Sequence, residues 1–107
     1  MSAPGEERLE SLREMLADDP ESPFLRYGVA MQLKGLGRAA EALEEFARLV
    51  ADSPDYVPTY YHYAALLHAQ GDERGLELAR RGADLAAATG NRHAEAELRD
   101  LIDELDG

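Results

Sequence analysis

The chain has no cysteine, half as many basic as acidic side chains and no long hydrophobic run. Without cysteine there is no disulfide, no thiolate nucleophile and no cysteine-ligated zinc or iron–sulfur site. Eleven bases against twenty-two acids leave a formal charge of −11, so nucleic acid and anionic membrane surfaces are repelled by most of the molecule. No apolar stretch approaches the roughly 18 residues that span a bilayer. The opening MSAPGEERLE has neither a basic region nor an apolar core of a leader peptide, so a cytoplasmic location is expected. Asn-Gly hairpin turns are missing as well; the breaks are Pro, Gly and Asp. What remains is 107 residues, 45% apolar and 31% charged, a composition and length that suit one globular domain.

The sequence repeats. A shift of 34 residues places Leu9 on Leu43, Glu10 on Glu44, Ala17 on Ala51, Asp18 on Asp52 and Pro20 on Pro54. The same shift places Tyr27 on Tyr61, Ala30 on Ala64, Leu33 on Leu67 and Gly37 on Gly71. Two ordered blocks in one register mark a repeat architecture.

Apolar residues recur at three and four, which predicts helices. Six are expected. The first covers about Glu6 to Ala17, with Leu9, Leu12 and Leu16 on one stripe, and stops before Pro20. Ser22 caps the second, with Pro23 in its first turn, Val29, Ala30 and Leu33 inward and Gly37 at its end. The third, about Arg38 to Asp52, turns Ala39, Ala42, Leu43, Phe46, Leu49 and Val50 inward. Tyr56 to Gln70 forms the fourth, burying Tyr60, Tyr63, Ala64 and Leu67; Tyr56 itself has no assigned place. The fifth starts from Asp72 and buries Leu76, Ala79 and Ala83, with Gly75 and Gly82 leaving room for a neighbouring helix. The last, about Arg92 to Leu105, turns Ala94, Leu98, Leu101, Ile102 and Leu105 to one side and five acids elsewhere, the polar outer face of a terminal cap.

GRAAEALEEFARLVADSPDY is similar to the second half of a tetratricopeptide repeat followed by the Pro-closed turn of the next. Ala30, Gly37, Ala42, Phe46 and Pro54 match that pattern in a first unit, and Tyr60, Ala64, Gly71, Gly75 and Gly82 match it in a second. Arg26 departs from it, standing where the family has a bulky apolar residue, with Phe24 or Leu25 as the substitute. The resemblance implies an all-α fold, a right-handed superhelix of antiparallel helix pairs. The chain divides accordingly into a half-unit helix (1–20), two repeats (21–54 and 55–88) and a capping helix (89–107), all one domain.

The resemblance further implies a non-catalytic module that binds a peptide or partner segment in a concave groove. The groove residues it implies are Phe24, Tyr27, Met31 and Lys34 on the second helix and Tyr61, Ala65 and His68 on the fourth, with His62 at the edge. Arg92, Arg99 and Ile102 extend the set if the sixth helix faces the groove. The family's carboxylate clamp of Lys, Arg and Asn is missing, so an aromatic or apolar segment with one acidic contact is expected rather than a chaperone tail. Charge is −4 over residues 1–20, −1 over 21–54, −2 over 55–88 and −4 over 89–107, so the end segments carry most of the acid. This serves solubility first and an acidic docking surface for a basic partner second.

Enzyme readings fare poorly. Ser2, Ser11, Ser22 and Ser53 include two helix caps and no nucleophile elbow. Gly35-Leu36-Gly37 lacks the strand and the Lys of a phosphate loop. His62 and His68 are turned about 240° apart on a helix and cannot chelate together. His93 and Glu97 share a face without a third ligand, so neither metal nor cofactor is expected. Two rivals to the peptide-binding reading stay open: a homo-oligomer assembled through the groove, and a small enzyme using His62 and His68.

Overall fold

A computed structural model describes residues 3–107; Met1 and Ser2, with the first residues of the expected half-unit, lie outside the described residues. Six α-helices and no strand make up the described chain: α1 (Pro4–Asp18), α2 (Pro23–Gly35), α3 (Ala39–Asp52), α4 (Pro58–Ala69), α5 (Arg74–Thr89) and α6 (Arg92–Asp106). Their contacts fall into two units, α1 to α3 ending at Ser53 and α4 to α6 beginning at Pro54. The expected all-α repeat architecture is what forms.

Helix boundaries follow the local chemistry of the chain. Pro lacks an N–H and has φ preset for a helix, so it is tolerated where the first turn leaves N–H groups unpaired anyway. Pro4, Pro23 and Pro58 all open helices. Ser22 Oγ accepts the Leu25 N–H at 3.1 Å and Asn91 Oδ1 accepts the Ala94 N–H at 3.1 Å, capping α2 and α6. The C-terminal stops of α2, α4 and α5 are three copies of one motif. Gly37, Gly71 and Gly90 take φ of 77°, 77° and 75°, a conformation open to glycine. The next residue in each case returns its N–H five residues back: Arg38 to Leu33, Asp72 to Leu67 and Asn91 to Ala86, at 2.9–3.0 Å.

In the first unit α2 packs against both α1 and α3. Leu9, Val29, Ala30, Leu33, Ala42, Phe46 and Leu49 are buried. Gly28 lies against Leu12, and the Gln32 side chain donates to the Gly5 carbonyl at 3.1 Å, so one side of α2 is committed to α1. Arg38 ties α1 to the start of α3 at the same end, pairing with Glu6 at 3.3 Å and Glu41 at 2.8 Å.

Arg26 corrects an expectation. Phe24 does not take over the bulky site: it is 69% exposed and Leu25 is half-buried, whereas the Arg26 side chain is only 13% exposed. Its guanidinium donates to Glu45 at 2.9 Å and to the Pro20 carbonyl at 3.3 Å, which leaves the aliphatic stem to fill the space.

In the second unit α5 packs against both α4 and α6, and α6 also touches α4. Tyr60, Tyr63, Ala64, Leu66, Leu67, Ala79, Ala83, Ala86, Leu98 and Leu101 are buried. Small residues set the α4 to α5 distance. A Cβ on Gly75 would stand 2.8 Å from the Ala64 carbonyl oxygen, and one on Gly82 would stand 2.9 Å from Tyr60 Cγ. The Tyr60 hydroxyl donates to the Pro54 carbonyl, and Arg81 lies over the Tyr60 ring at 5.7 Å. Burial raises the Tyr60 pKa above its ordinary value, with Arg81 opposing.

Asp72 stabilises the start of α5. Its Oδ1 accepts the Arg74 N–H at 2.9 Å, and the Arg74 guanidinium reaches Oδ2 at 2.7 Å. The side-chain bonds to Arg74, and then the backbone one, hold the Asp72 carboxyl at about 2, below the usual 3.8. A folded-state pKa below the unfolded one means that stability from this group is present above pH about 4 and is lost as pH falls through about 2. The expected result is a carboxyl carbon NMR titration of Asp72 with a midpoint near 2. In Arg74→Ala that midpoint rises toward 3.8.

Candidate binding faces

On α2, Phe24, Tyr27, Met31 and Lys34 are spaced three, four and three residues apart, so they form one stripe along the helix. Phe24 is the most exposed of them; Tyr27, Met31 and Lys34 are half-buried. The stripe is held in place from behind, because Val29, Ala30 and Leu33 are buried while Gly28 and Gln32 are fixed on α1. Phe24 is thus a large apolar side chain left mostly in water at the first turn of the helix.

On α4, Tyr61, Ala65 and His68 make the equivalent stripe, each one 34 residues after Tyr27, Met31 and Lys34 respectively. The two stripes differ in bulk. Tyr61 and Ala65 are half-buried and pack on the cluster of Ala64, Ala79 and Leu101, together with Ile102 and Leu105 of α6. Ile102 packs on the same cluster as Tyr61 and Ala65. Arg92 is exposed, and Arg99 is paired with Glu95 at 3.0 Å along α6. His68 is exposed at the last turn of α4. His62 is half-buried and meets the Tyr61 ring edge-on, with centroids 5.2 Å apart, so it supports an aromatic residue of the stripe. His62 and His68 are not brought together.

Other polar groups are engaged in holding helices. His93 pairs with Glu97 within α6, and Arg13 reaches Glu41 from α1. A cavity of about 650 Å³ lies between the turn Pro20–Pro23 and the end of α3, but its one base, Arg26, is already held by Glu45. Among the described residues no group of three His, Asp or Glu is placed to hold a metal ion. No helix among them is long and apolar enough to cross a membrane. Tyr56 sits half-buried in the turn before α4, where its carbonyl accepts the Thr59 N–H at 3.3 Å; burial raises its pKa.

One signal escaped the sequence reading. Leu76 and Leu105, expected in the core, are half-buried and line a hollow of about 310 Å³ together with His68, Gly71, Asp72 and Glu73. The acids make the end of the α4 stripe more negative than the composition of the stripe itself suggests.

No family model matches the chain. A TPR repeat-containing protein of Pseudomonas aeruginosa is 30% identical over 99 residues, which cover 92% of this chain and 94% of that one. The chain belongs to the tetratricopeptide-repeat family. Among solved structures, the crystal structure of a tetratricopeptide repeat domain protein from Salinibacter ruber superposes with a TM-score of 0.76 at 31% identity. It covers 80% of this chain and 97% of its own. A solution structure of a Bordetella parapertussis protein reaches a TM-score of 0.78 over 99% of this chain and 90% of its own. At 22% identity it supports the fold alone. Membership of the tetratricopeptide-repeat family implies a protein–protein interaction module, of a kind that is generally a non-catalytic scaffold.

Proposed function

We propose that this tetratricopeptide-repeat chain works in the cytoplasm, without a cofactor, as a scaffold that grips a peptide or partner segment. The gripping faces are the α2 stripe Phe24, Tyr27, Met31 and Lys34 and the α4 stripe Tyr61, Ala65 and His68, with His62 as a flanking support. The chain reads as one domain with a half-unit at 1–20, repeats at 21–54 and 55–88 and a cap at 89–107. The observation that carries the reading is Phe24, 69% exposed at the head of a stripe whose other members are half-buried. A binding partner removes that side chain from water, and burial of a Phe is worth about 1.5–3 kcal/mol.

Self-assembly through the same stripe is the rival, since exposed apolar area attracts a second copy as well. A charge of −11 on each copy opposes it and favours a different chain as the occupant. Phe24→Ala is expected to leave the helical CD signal and Tm almost unchanged, because the ring contributes little to the core. It is expected to weaken capture of the partner from source lysate by about tenfold or more, as truncating a binding hot spot does. Tyr61→Ala is expected to lose the same partner. Undiminished capture by both variants, or a wild-type chain that elutes as an oligomer by light scattering, rules the reading out.

A further inference from the structure

We propose that the hollow at the C-terminal end of α4 holds an apolar side chain and the basic residue that follows it, a leucine-lysine type of segment on a partner protein. For the partner being a protein the inference rests on the interaction-module reading above, but it does not need the α2 stripe. The hollow belongs wholly to the second unit and has walls from three elements: His68 of α4, Gly71 to Glu73 of the turn with Leu76 of α5, and Leu105 of α6. Its floor is apolar. Leu76 and Leu105 are each only partly covered, and Leu105 is backed by the buried cluster of Ala64, Ala79 and Leu101. At about 310 Å³ it has room for a branched side chain together with part of the residue beside it.

The rim decides what comes next to that side chain. The C-terminal ends of α4 and α6 carry partial negative charge, which the partly positive start of α5 offsets at this hollow, so the side-chain carboxylates set the sign of the rim. Asp72 and Glu73 are the acids that line the hollow, with no Lys or Arg among the lining residues. The Asp72 carboxylate is already held by Arg74, which leaves exposed Glu73 at the rim as the natural counterpart of a ligand ammonium or guanidinium. The same field repels an acidic or phosphorylated segment. It also steers a basic one toward a chain whose overall charge is −11.

The test uses the full chain labelled with ¹⁵N and three capped tetrapeptides: alanine-leucine-lysine-lysine, the same with glutamates for lysines, and the same with serine for leucine. The first is expected to move the amide signals of Gly71, Asp72, Leu76 and Leu105 at millimolar concentration. The other two are expected to bind at least about tenfold more weakly. Glu73→Gln keeps the apolar walls and is expected to weaken the lysine peptide by about threefold while leaving Tm unchanged. Equal binding of the glutamate peptide overturns the proposal. So does equal binding of the serine peptide, which would reduce the effect to general attraction between charges. Shifts confined to Phe24, Tyr27 and Met31 overturn the hollow and spare the stripe on α2. No shift anywhere at millimolar peptide also overturns it.

Discussion

Phe46→Ala is expected to lower the unfolding free energy by about 3–5 kcal/mol, read from urea unfolding followed by CD. The ring is wholly buried in α3, and the helix around it is fixed by ion pairs at two levels, Arg38 and Arg13 on Glu41 and Arg26 on Glu45. Packed helices relax only partly into the space a benzyl group leaves, so the cavity term adds to the lost transfer free energy. Total stability of a domain of this size is only about 5–15 kcal/mol, which makes the expected loss a large fraction of it. The slope of the urea transition should stay constant, because the native surface hardly changes. A change under about 1 kcal/mol would mean that α3 turns another face inward.

Most of the fold was legible because its punctuation is local. A Pro at a helix start and a Gly with positive φ at its end act through the few residues beside them, so both can be read without knowing the neighbours. The small departures are local too. The fourth helix was expected from Tyr56 and forms from Pro58, since the Pro ring takes the first helical position and leaves Tyr56 and Val57 in a turn. The fifth was expected from Asp72 and forms from Arg74, yet Asp72 still caps it through its carboxylate. Arg26 was the harder case. Nothing near it in the chain shows that Glu45, nineteen residues later, makes a charged residue acceptable at a site expected to be apolar.

The candidate faces were legible in part for the same reason. Helical spacing alone aligns Phe24 with Tyr27, Met31 and Lys34, and the 34-residue repeat carries the alignment to Tyr61, Ala65 and His68. What spacing does not convey is how much of each stripe a third helix covers. Tyr61 and Ala65 are partly covered because α6 reaches α4 as well as α5, a contact between segments some forty residues apart. The hollow beside His68 was missed because Leu76 and Leu105 lie on the apolar sides of their helices, which sequence reads as core. Whether such a residue is sealed or left at an open end depends on where the next helix stops.

Gly82→Ala is expected to destabilise the protein by about 2–3 kcal/mol, even though alanine is the better helix former by about 1 kcal/mol. The added methyl would press on Tyr60 at Cβ and Cγ and come within 3.3 Å of Leu98. Neither neighbour can yield cheaply. Tyr60 is tethered by its hydroxyl to the Pro54 carbonyl and lies under Arg81, and Leu98 is buried on α6. Relief therefore requires α5 to move away from α4 and α6 together, which strips contact from both interfaces. Gly35→Ala supplies the opposite sign from the same chemistry. Gly35 lies in the last turn of α2, is exposed, and has nothing within 4 Å of a new Cβ. It is expected to gain about 0.5–1 kcal/mol from a less flexible unfolded chain. The pair, measured by thermal or urea unfolding under one set of conditions, separates backbone propensity from helix packing. Stabilisation by both substitutions would show that α5 is held at a greater distance than the Gly82 to Tyr60 contact requires, and the close crossing of α4 and α5 would fall with it.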